Sequence, residues 1–361
     1  MPLGTADRAY NLWCEQEEIN MTDTMKRIVL AERPKGSPTD ANFRLEESAV
    51  PTPGEGEVVV AVKYMSLDPY MRGRMDDGPS YAAPVPVGGT MEAGAVGEVI
   101  ASNDPKFKPG DHAFGMFGWA THGVAAAKGL RKVNPDDAPI QTSLGVLGMP
   151  GFTAWAGMTA YSKMKAGETL VVGAATGPVG SMVGQLAKQA GLRVIGVAGG
   201  AEKCRMAVET FGFDACIDHR GKDAKAMREA LAAECPDGID IYFENVGGPT
   251  LGGVIPLLNL HARVIICGMI AWYSGESDET GSMPLQKLWR YALVKRITIQ
   301  GLLQTDHVSR FGDFLREVGP KVASGEIKYA EDVAEGLENA PQAFMGLLKG
   351  KNLGKLVVKV G

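Results

Sequence analysis

The segment from Val171 to Arg205, VVGAATGPVGSMVGQLAKQAGLRVIGVAGGAEKCR, constrains the fold more than any other part of the chain. An apolar run enters a turn of small residues, an amphipathic stretch follows, and a second apolar run ends in two glycines. Helical spacing of apolar residues in the middle, between two runs typical of buried strands, predicts strand, helix and strand. Two parallel strands need such a crossover, so the segment predicts a parallel sheet covered by helices.

The same alternation continues to about Thr305, whereas the chain before Thr142 has short apolar runs separated by Pro and Gly. Such runs are typical of an antiparallel domain. The C-terminal region predicts a helix and a strand that return to this first domain. We therefore expect an α/β protein with a doubly wound domain at 146–319 and a partly closed β domain at 25–145 and 320–361, after an extension at 1–24.

The turn after the first strand of this segment has Ala175, Gly177 and Gly180 in the spacing AxGxxG. Small residues there allow a tight turn, close approach of a pyrophosphate and close packing of helix on strand. Pro178 suits the first helical position, where an N–H has no partner within the helix. The free N–H groups of this helix start favour an anion, so the turn predicts a dinucleotide site.

The second strand ends at Gly199 and Gly200, where units that bind NAD usually carry an acid for the ribose 2′-hydroxyl. The glycines leave space, and Lys203 with Arg205 can neutralise a phosphate. This pattern predicts an NADP pocket. An alternative remains open, in which Lys203 is an ordinary solvated residue and Glu202 is the ribose acid.

Composition excludes several other classes of function. A net charge of −5 provides no general basic surface for nucleic acid or an anionic membrane. No apolar run reaches the length of a membrane span, and the first residues lack the pattern of a signal peptide. The five cysteines show no metal-binding spacing. We expect a cytoplasmic protein without a structural metal.

Six motifs together resemble the zinc-independent branch of the medium-chain dehydrogenase/reductase superfamily, in its group of prostaglandin, alkenal double-bond and bacterial curcumin reductases. They are MSLDPYMRGRM, AATGPVG, GGAEKC, ENVGG, ICGMIAWY and LLKGKNLGKLVVKV. The resemblance extends from about Lys26 to Val360. It implies a GroES-like catalytic domain, a partly closed β-barrel, joined to a Rossmann domain, with NADPH as cofactor and a homodimer as the assembly.

The resemblance also implies residues that contact NADPH. Gly177, Val179 and Gly180 would meet the pyrophosphate, Lys203 the 2′-phosphate, and Cys267 with Gly268 the nicotinamide ribose. His219 stands where many relatives have a tyrosine near the adenosine phosphate. The full set of expected cofactor contacts is Gly177, Pro178, Val179, Gly180, Gly200, Lys203, His219, Asn245, Cys267, Gly268, Leu302 and Asn352.

The zinc ligands of the related alcohol dehydrogenases are missing from the first domain, where the chain reads VGGTMEAGAVGEV. The resemblance then implies metal-free reduction of a carbon–carbon double bond conjugated to a carbonyl, in a hydrophobic enone or alkenal. Tyr70 and Tyr273 are the expected hydrogen-bond donors to the substrate oxygen.

Three alternatives remain open. Either tyrosine can instead pack at the domain interface with its hydroxyl in water. The chain can be a quinone reductase of the zeta-crystallin type. It can also be a non-catalytic NADPH-binding protein that senses redox state.

Overall fold

The structure, a computed structural model, describes residues 24–275 and 283–361. The expected N-terminal extension lies outside the described residues, apart from Thr24, which begins the first strand. Within the described residues, no helix is long and apolar enough to cross a membrane.

The described chain contains strands β1 (Thr24–Leu30), β2 (Phe43–Ala49), β3 (Glu57–Ser66), β4 (Ala95–Ser102), β5 (His112–Gly115), β6 (His122–Ala126), β7 (Arg131–Val133), β8 (Thr169–Gly173), β9 (Arg193–Ala198), β10 (Ala215–Asp218), β11 (Ile239–Glu244), β12 (Leu258–Ile266), β13 (Thr298–Gly301), β14 (Glu331–Glu335) and β15 (Lys355–Lys359). Its α-helices are α1 (Met71–Arg74), α2 (Met149–Gly157), α3 (Pro178–Gln189), α4 (Ala201–Glu209), α5 (Ala224–Glu234), α6 (Gly248–Val254), α7 (Leu285–Lys295), α8 (Phe311–Ala323) and α9 (Ala340–Leu348).

The first domain is built on a largely antiparallel sheet in the order β14-β15-β3-β4-β5-β7, with β6 also pairing with β3. The last strand, β15, pairs antiparallel with β3, so the C-terminal segment completes the sheet of the first domain. Val58, Val60 and Val62 alternate along β3 into a core that also holds Trp119 and Phe344. The return predicted from the C-terminal sequence is therefore present.

The second domain is a six-stranded parallel sheet in the order β10-β9-β8-β11-β12-β13. Leu170 and Val172 of β8 point into the core beneath α2, α3 and α8, whereas Val171 points into the opposite core beneath α5 and α6. The strand order reverses between β8 and β11, and ligands of such sheets bind at the carboxyl ends of the strands beside this point. The predicted doubly wound sheet is confirmed.

The two domains meet near the end of α8 and the segment that follows it. Val322 and Ile327 pack into the core of the parallel sheet, and β14 begins the return to the other sheet at Glu331. The domain bounds expected at residues 145 and 320 stay a prediction.

Candidate active site

The turn between β8 and α3 has the geometry of a dinucleotide turn. Gly177 caps α3 and Pro178 occupies its first turn. A side chain at Gly180 would clash with the carbonyl oxygen of Ala174, which shows that this glycine lets the helix approach the strand. Ala174 itself has φ +51, a left-handed conformation that is strained for a residue with a side chain. The turn is thus shaped to aim the first N–H groups of α3 at an anion.

The next turn along the sheet edge, between β9 and α4, is open because Gly199 and Gly200 have no side chains. Gly200 has φ +99, and its N–H donates to Oδ1 of Asp218 at 2.8 Å. Nζ of Lys203 donates to the carbonyl oxygen of Gly350 at 2.8 Å. The C-terminal segment therefore borders the expected 2′-phosphate site.

His219 and Arg220 lie over this open turn, immediately after β10. A Cβ on Gly199 would lie 3.0 Å from Nε2 of His219, and one on Gly200 would lie 2.8 Å from Nη1 of Arg220. The pKa of His219 is lowered by partial desolvation and by the positive charges of Arg220 and Lys203, although Asp218 opposes this shift. Three nitrogen-bearing side chains thus meet at one point of the sheet edge.

At the end of β11, Asn245 donates from Nδ2 to the carbonyl oxygen of Gly173 at 2.9 Å. This bond fixes Asn245 between β8 and β11, at the reversal of strand order. Beside it, the N–H groups of Cys267 and Gly268 donate to the carbonyl oxygen of Glu244. Burial raises the pKa of the Cys267 thiol to about 12, so this thiol is protonated and is a poor nucleophile.

Tyr273 lies directly over this strand end. Its hydroxyl oxygen accepts the N–H of Met269 at 3.2 Å, and a Cβ on Gly268 would lie 3.0 Å from it. Accepting this bond leaves the O–H proton available for another acceptor. Burial, more than any neighbouring charge, raises the pKa of Tyr273, so the phenol stays protonated.

Tyr70 approaches from the other domain, in the turn between β3 and α1. Burial, followed by the carboxylates of Asp68 and Glu92, raises its pKa well above the ordinary value. The guanidinium carbon of Arg74 lies 5.7 Å from the centroid of the Tyr70 ring. Arg74 is buried and donates from Nε to Glu92 at 3.0 Å, so this cation is held in place.

Tyr81 is a site residue that the sequence analysis missed. Arg74 lies 4.3 Å from the centroid of its ring, and Tyr81 is close enough to Tyr70 and Tyr273 to raise the pKa of both. It stands in the segment DDGPSYAAPVP, which has no helical or strand period. The sequence signal for Tyr81 as a site residue was limited to a tyrosine inside a loop with several Pro and Gly residues.

A buried ion pair behind Tyr70 was also missed. Nζ of Lys355 donates to Asp68 at 2.6 Å, to Ser66 Oγ at 2.6 Å and to the carbonyl oxygen of Leu67 at 2.8 Å. All three side-chain partners are buried, with Lys355 2% exposed, Asp68 6% and Ser66 4%. The last strand therefore fixes the segment that leads to Tyr70.

The other expected cofactor residues are placed as follows. Leu302 is buried, and a Cβ on Gly157 would lie 2.7 Å from its Cδ2, so its side chain packs in the core. Asn352 donates to the carbonyl oxygen of Gly354 at 2.6 Å, two residues after the Gly350 that binds Lys203. Glu202, the alternative ribose acid, is exposed in the first turn of α4. Contacts of these residues with the cofactor stay predictions.

The arrangement fits NADPH. The glycines of both turns leave room for its phosphates, and the second turn gathers cations at the position of a 2′-phosphate. Among residues 24–275 and 283–361, no group of three or more His, Cys, Asp and Glu could hold a metal ion. That the active site needs no metal stays a prediction.

Two family models match the chain, one described as the N-terminal domain of oxidoreductase over residues 26–133 and one as zinc-binding dehydrogenase over 178–318. The chain is 51% identical to the NADPH-dependent curcumin reductase of Escherichia coli strain K12, covering 93% of this chain and 96% of the relative. It is 39% identical to the NADP(+)-dependent 2-alkenal reductase of Nicotiana tabacum, covering 93% and 97%.

A solved structure, CurA from Vibrio vulnificus in complex with NADPH, matches with a TM-score of 0.88 and 47% identity, covering 93% of this chain and 99% of that chain. The likeness therefore spans both domains rather than the cofactor sheet alone. The family that the six motifs resemble is confirmed. The chain belongs to the medium-chain dehydrogenase/reductase superfamily, in its group of curcumin, alkenal and prostaglandin reductases.

Proposed function

We propose that this protein is an NADPH-dependent reductase of the carbon–carbon double bond of α,β-unsaturated ketones and aldehydes. The observation that supports the proposal is the position of the protonated Tyr273 phenol beside Gly268, with Tyr81 of the first domain close enough to raise the pKa of both Tyr273 and Tyr70. Curcumin reductase and 2-alkenal reductase, at 51% and 39% identity, support the same reaction class.

NADPH, when bound, supplies a hydride, and the chain's residues orient the substrate and stabilise charge. Negative charge develops on the carbonyl oxygen of the substrate when its β-carbon receives a hydride. The O–H of Tyr273 donates to that oxygen, because its own oxygen is already held by the Met269 N–H. Tyr70 is the second donor. Water or one of these phenols returns a proton to the α-carbon.

The pocket selects apolar substrates. Tyr81 lies near both proposed donors, Tyr70 and Tyr273, which brings aromatic surface to the proposed substrate site. Arg74 is paired with Glu92 rather than offered to a substrate carboxylate. Long, conjugated enones with hydrophobic substituents are therefore better substrates than small polar ones.

The test is an NADPH-oxidation panel of alkenals, cyclic enones, extended dienones and quinones, with product analysis. We expect turnover of enones and alkenals with saturation of the double bond and an intact carbonyl. Preference for quinones would instead indicate a quinone reductase. Tight NADPH binding without turnover of any activated alkene would indicate a redox sensor.

The protein also acts as a homodimer in this proposal. β13 is an edge strand of the parallel sheet, and all four of its residues are exposed. On the neighbouring α7, Leu285, Trp289 and Leu293 follow the i, i+4 spacing and are 62%, 62% and 78% exposed. A second copy that pairs at β13 would cover both the strand edge and this apolar stripe.

The cytoplasm is the proposed location. The described cysteines Cys204, Cys216, Cys235 and Cys267 are all free, which suits a reducing compartment. Cell fractionation that recovers the NADPH-dependent activity with the membranes or outside the cell would contradict it.

A further inference from the structure

Arg220 occupies a position that the sequence pattern did not single out. It follows β10, and a Cβ on Gly200 would lie 2.8 Å from its Nη1 and 3.0 Å from its Cζ. The guanidinium therefore lies against the backbone of the β9–α4 turn, in space that exists because Gly200 has no side chain. Lys203 is close enough to Arg220 that the guanidinium charge disfavours protonation of the lysine.

Neither cation forms a direct salt bridge with a carboxylate among the described residues. Nζ of Lys203 binds the carbonyl oxygen of Gly350, and within the described residues the guanidinium of Arg220 takes part in no ion pair. The nearest acid, Asp218, uses Oδ1 to accept the backbone N–H groups of Gly200 and Arg220 at 2.8 and 3.0 Å. The carboxylates of Asp218 and Asp332 act on Arg220 and Lys203, respectively, from beyond salt-bridge distance. An anion bound between the two like charges would add a direct counter-charge.

Arg205, the partner that the sequence suggested for Lys203, is placed differently. It follows Lys203 by two residues in α4, which rotates it by about 200° around the helix. Its side chain is exposed. No contact connects Arg205 with Gly200, His219 or Gly350 among the described residues.

We propose that Arg220, rather than Arg205, is the second cation that binds the 2′-phosphate of the cofactor together with Lys203, and that it sets the preference for NADPH over NADH. The inference rests on the proposed function. The planar guanidinium presents two parallel N–H groups to phosphate oxygens, whereas the ammonium of Lys203 provides a single point charge. The ammonium has three protons, so it can donate to a phosphate while it keeps the bond to Gly350.

The role of His219 follows from the same geometry. Its Nε2 lies beside Gly199, and its lowered pKa keeps the imidazole neutral near pH 7. It can therefore donate one hydrogen bond or stack on the adenine without adding charge. The charge recognition belongs to Lys203 and Arg220.

The experiment compares Arg220→Gln with Arg205→Gln as a matched control. Calorimetry on the substrate-free protein measures binding of NADPH, NADH, adenosine 2′,5′-bisphosphate and 5′-AMP. We expect Arg220→Gln to weaken the two ligands with a 2′-phosphate by about tenfold to a hundredfold, the value of a charge-assisted contact. NADH and 5′-AMP should change by less than about twofold, as should every ligand in Arg205→Gln.

Arg220→Lys keeps the charge and removes the fork, so its affinity for adenosine 2′,5′-bisphosphate should lie between those of wild type and Arg220→Gln. The inference would be overturned if Arg220→Gln bound all four ligands with wild-type affinity. It would also be overturned if Arg220→Gln kept the wild-type melting temperature and bound NADPH and NADH equally more weakly. If wild type and Arg220→Gln both reduce enones with the same preference for NADPH, the role of Arg220 fails and the proposed function stands. If wild type prefers NADH, the proposed cofactor fails.

Discussion

Nζ of Lys355 lies 2.6 Å from Oδ1 of Asp68, and this buried pair joins the last strand of the chain to the segment that carries Tyr70. The pair connects residues 287 positions apart in sequence. Ser66 and the carbonyl oxygen of Leu67 satisfy the remaining protons of the ammonium. Because Tyr70 follows Asp68 by two residues, the position of this phenol depends on the C-terminal return.

Lys355→Met should destabilise the protein strongly. It leaves the Asp68 carboxylate buried without its cation, and breaking a buried pair in this way costs about 3–5 kcal/mol. Denaturant unfolding at neutral pH measures the loss. Lys359→Met is the matched control, because its pair with Glu335 is half-exposed at 3.6 Å and is worth about 0–1 kcal/mol. Equal effects of the two changes would contradict the assigned role of the buried pair.

Tyr273→Phe should lower kcat more than it raises KM for an enone. The lost O–H bond strengthens as charge develops on the substrate oxygen, so it acts mainly in the transition state. Removal of one such donor costs up to about a hundredfold or more. Tyr70→Phe should behave in the same way, whereas Tyr81→Phe should mainly change KM. Full turnover in both of the first two variants would assign the role to water or to the cofactor ribose.

The free energy of unfolding should fall as the pH rises above 4.5, because Glu244 is buried. Burial raises the pKa of this carboxyl above 4.5, although the N–H groups of Val246 and Gly247 oppose the shift. Above pH 4.5 the unfolded chain has released this proton while the folded chain still holds it, so the free energy of unfolding falls by up to about 1.4 kcal/mol per pH unit until the folded pKa is passed.

Glu244→Gln should remove this part of the pH dependence, because the amide has no proton to release in this range. Denaturant unfolding at several pH values from 4 to 8 measures the slopes for wild type and variant. Glu202→Gln on the exposed face of α4 serves as the control and should keep the wild-type slope. Identical slopes in wild type and Glu244→Gln would show that other groups dominate.

Trp289→Glu should convert the proposed dimer into a monomer. Trp289 is 62% exposed on α7, and a carboxylate there would have to be desolvated in an interface. Light scattering at micromolar concentration gives the mass of wild type and variant. A monomer mass for wild type would exclude the proposed assembly. Lys225→Glu at an exposed position of α5 is a control for a change of charge alone.

Dialysis against a strong chelator should leave the reductase activity unchanged. The prediction follows from the absent zinc ligands in VGGTMEAGAVGEV, and within the described residues no cluster of metal-binding side chains offers a substitute. Activity with NADPH and an enone is measured before and after dialysis. A large loss that added zinc restores would contradict a metal-free site.

The sequence by itself determined the parts of this protein that depend on local pattern. The order of apolar runs around Val171 predicted the parallel sheet, and AxGxxG predicted the turn at Gly177 and Gly180, because strand, turn and helix follow from neighbouring residues. Family motifs identified the reductase group. These features need no knowledge of which distant segments meet.

Only the tertiary structure decided which distant side chains share a site. Lys203 and Arg205 are close in sequence, yet the turn of the helix points them in different directions. Arg220 follows β10, the strand next to β9, and the sheet brings it close to Lys203. In the same way, Asp68 meets Lys355 within the first domain. Tyr81 comes close to both Tyr70 and Tyr273. Strand order and domain packing set these contacts, and neither leaves a period or spacing in the sequence.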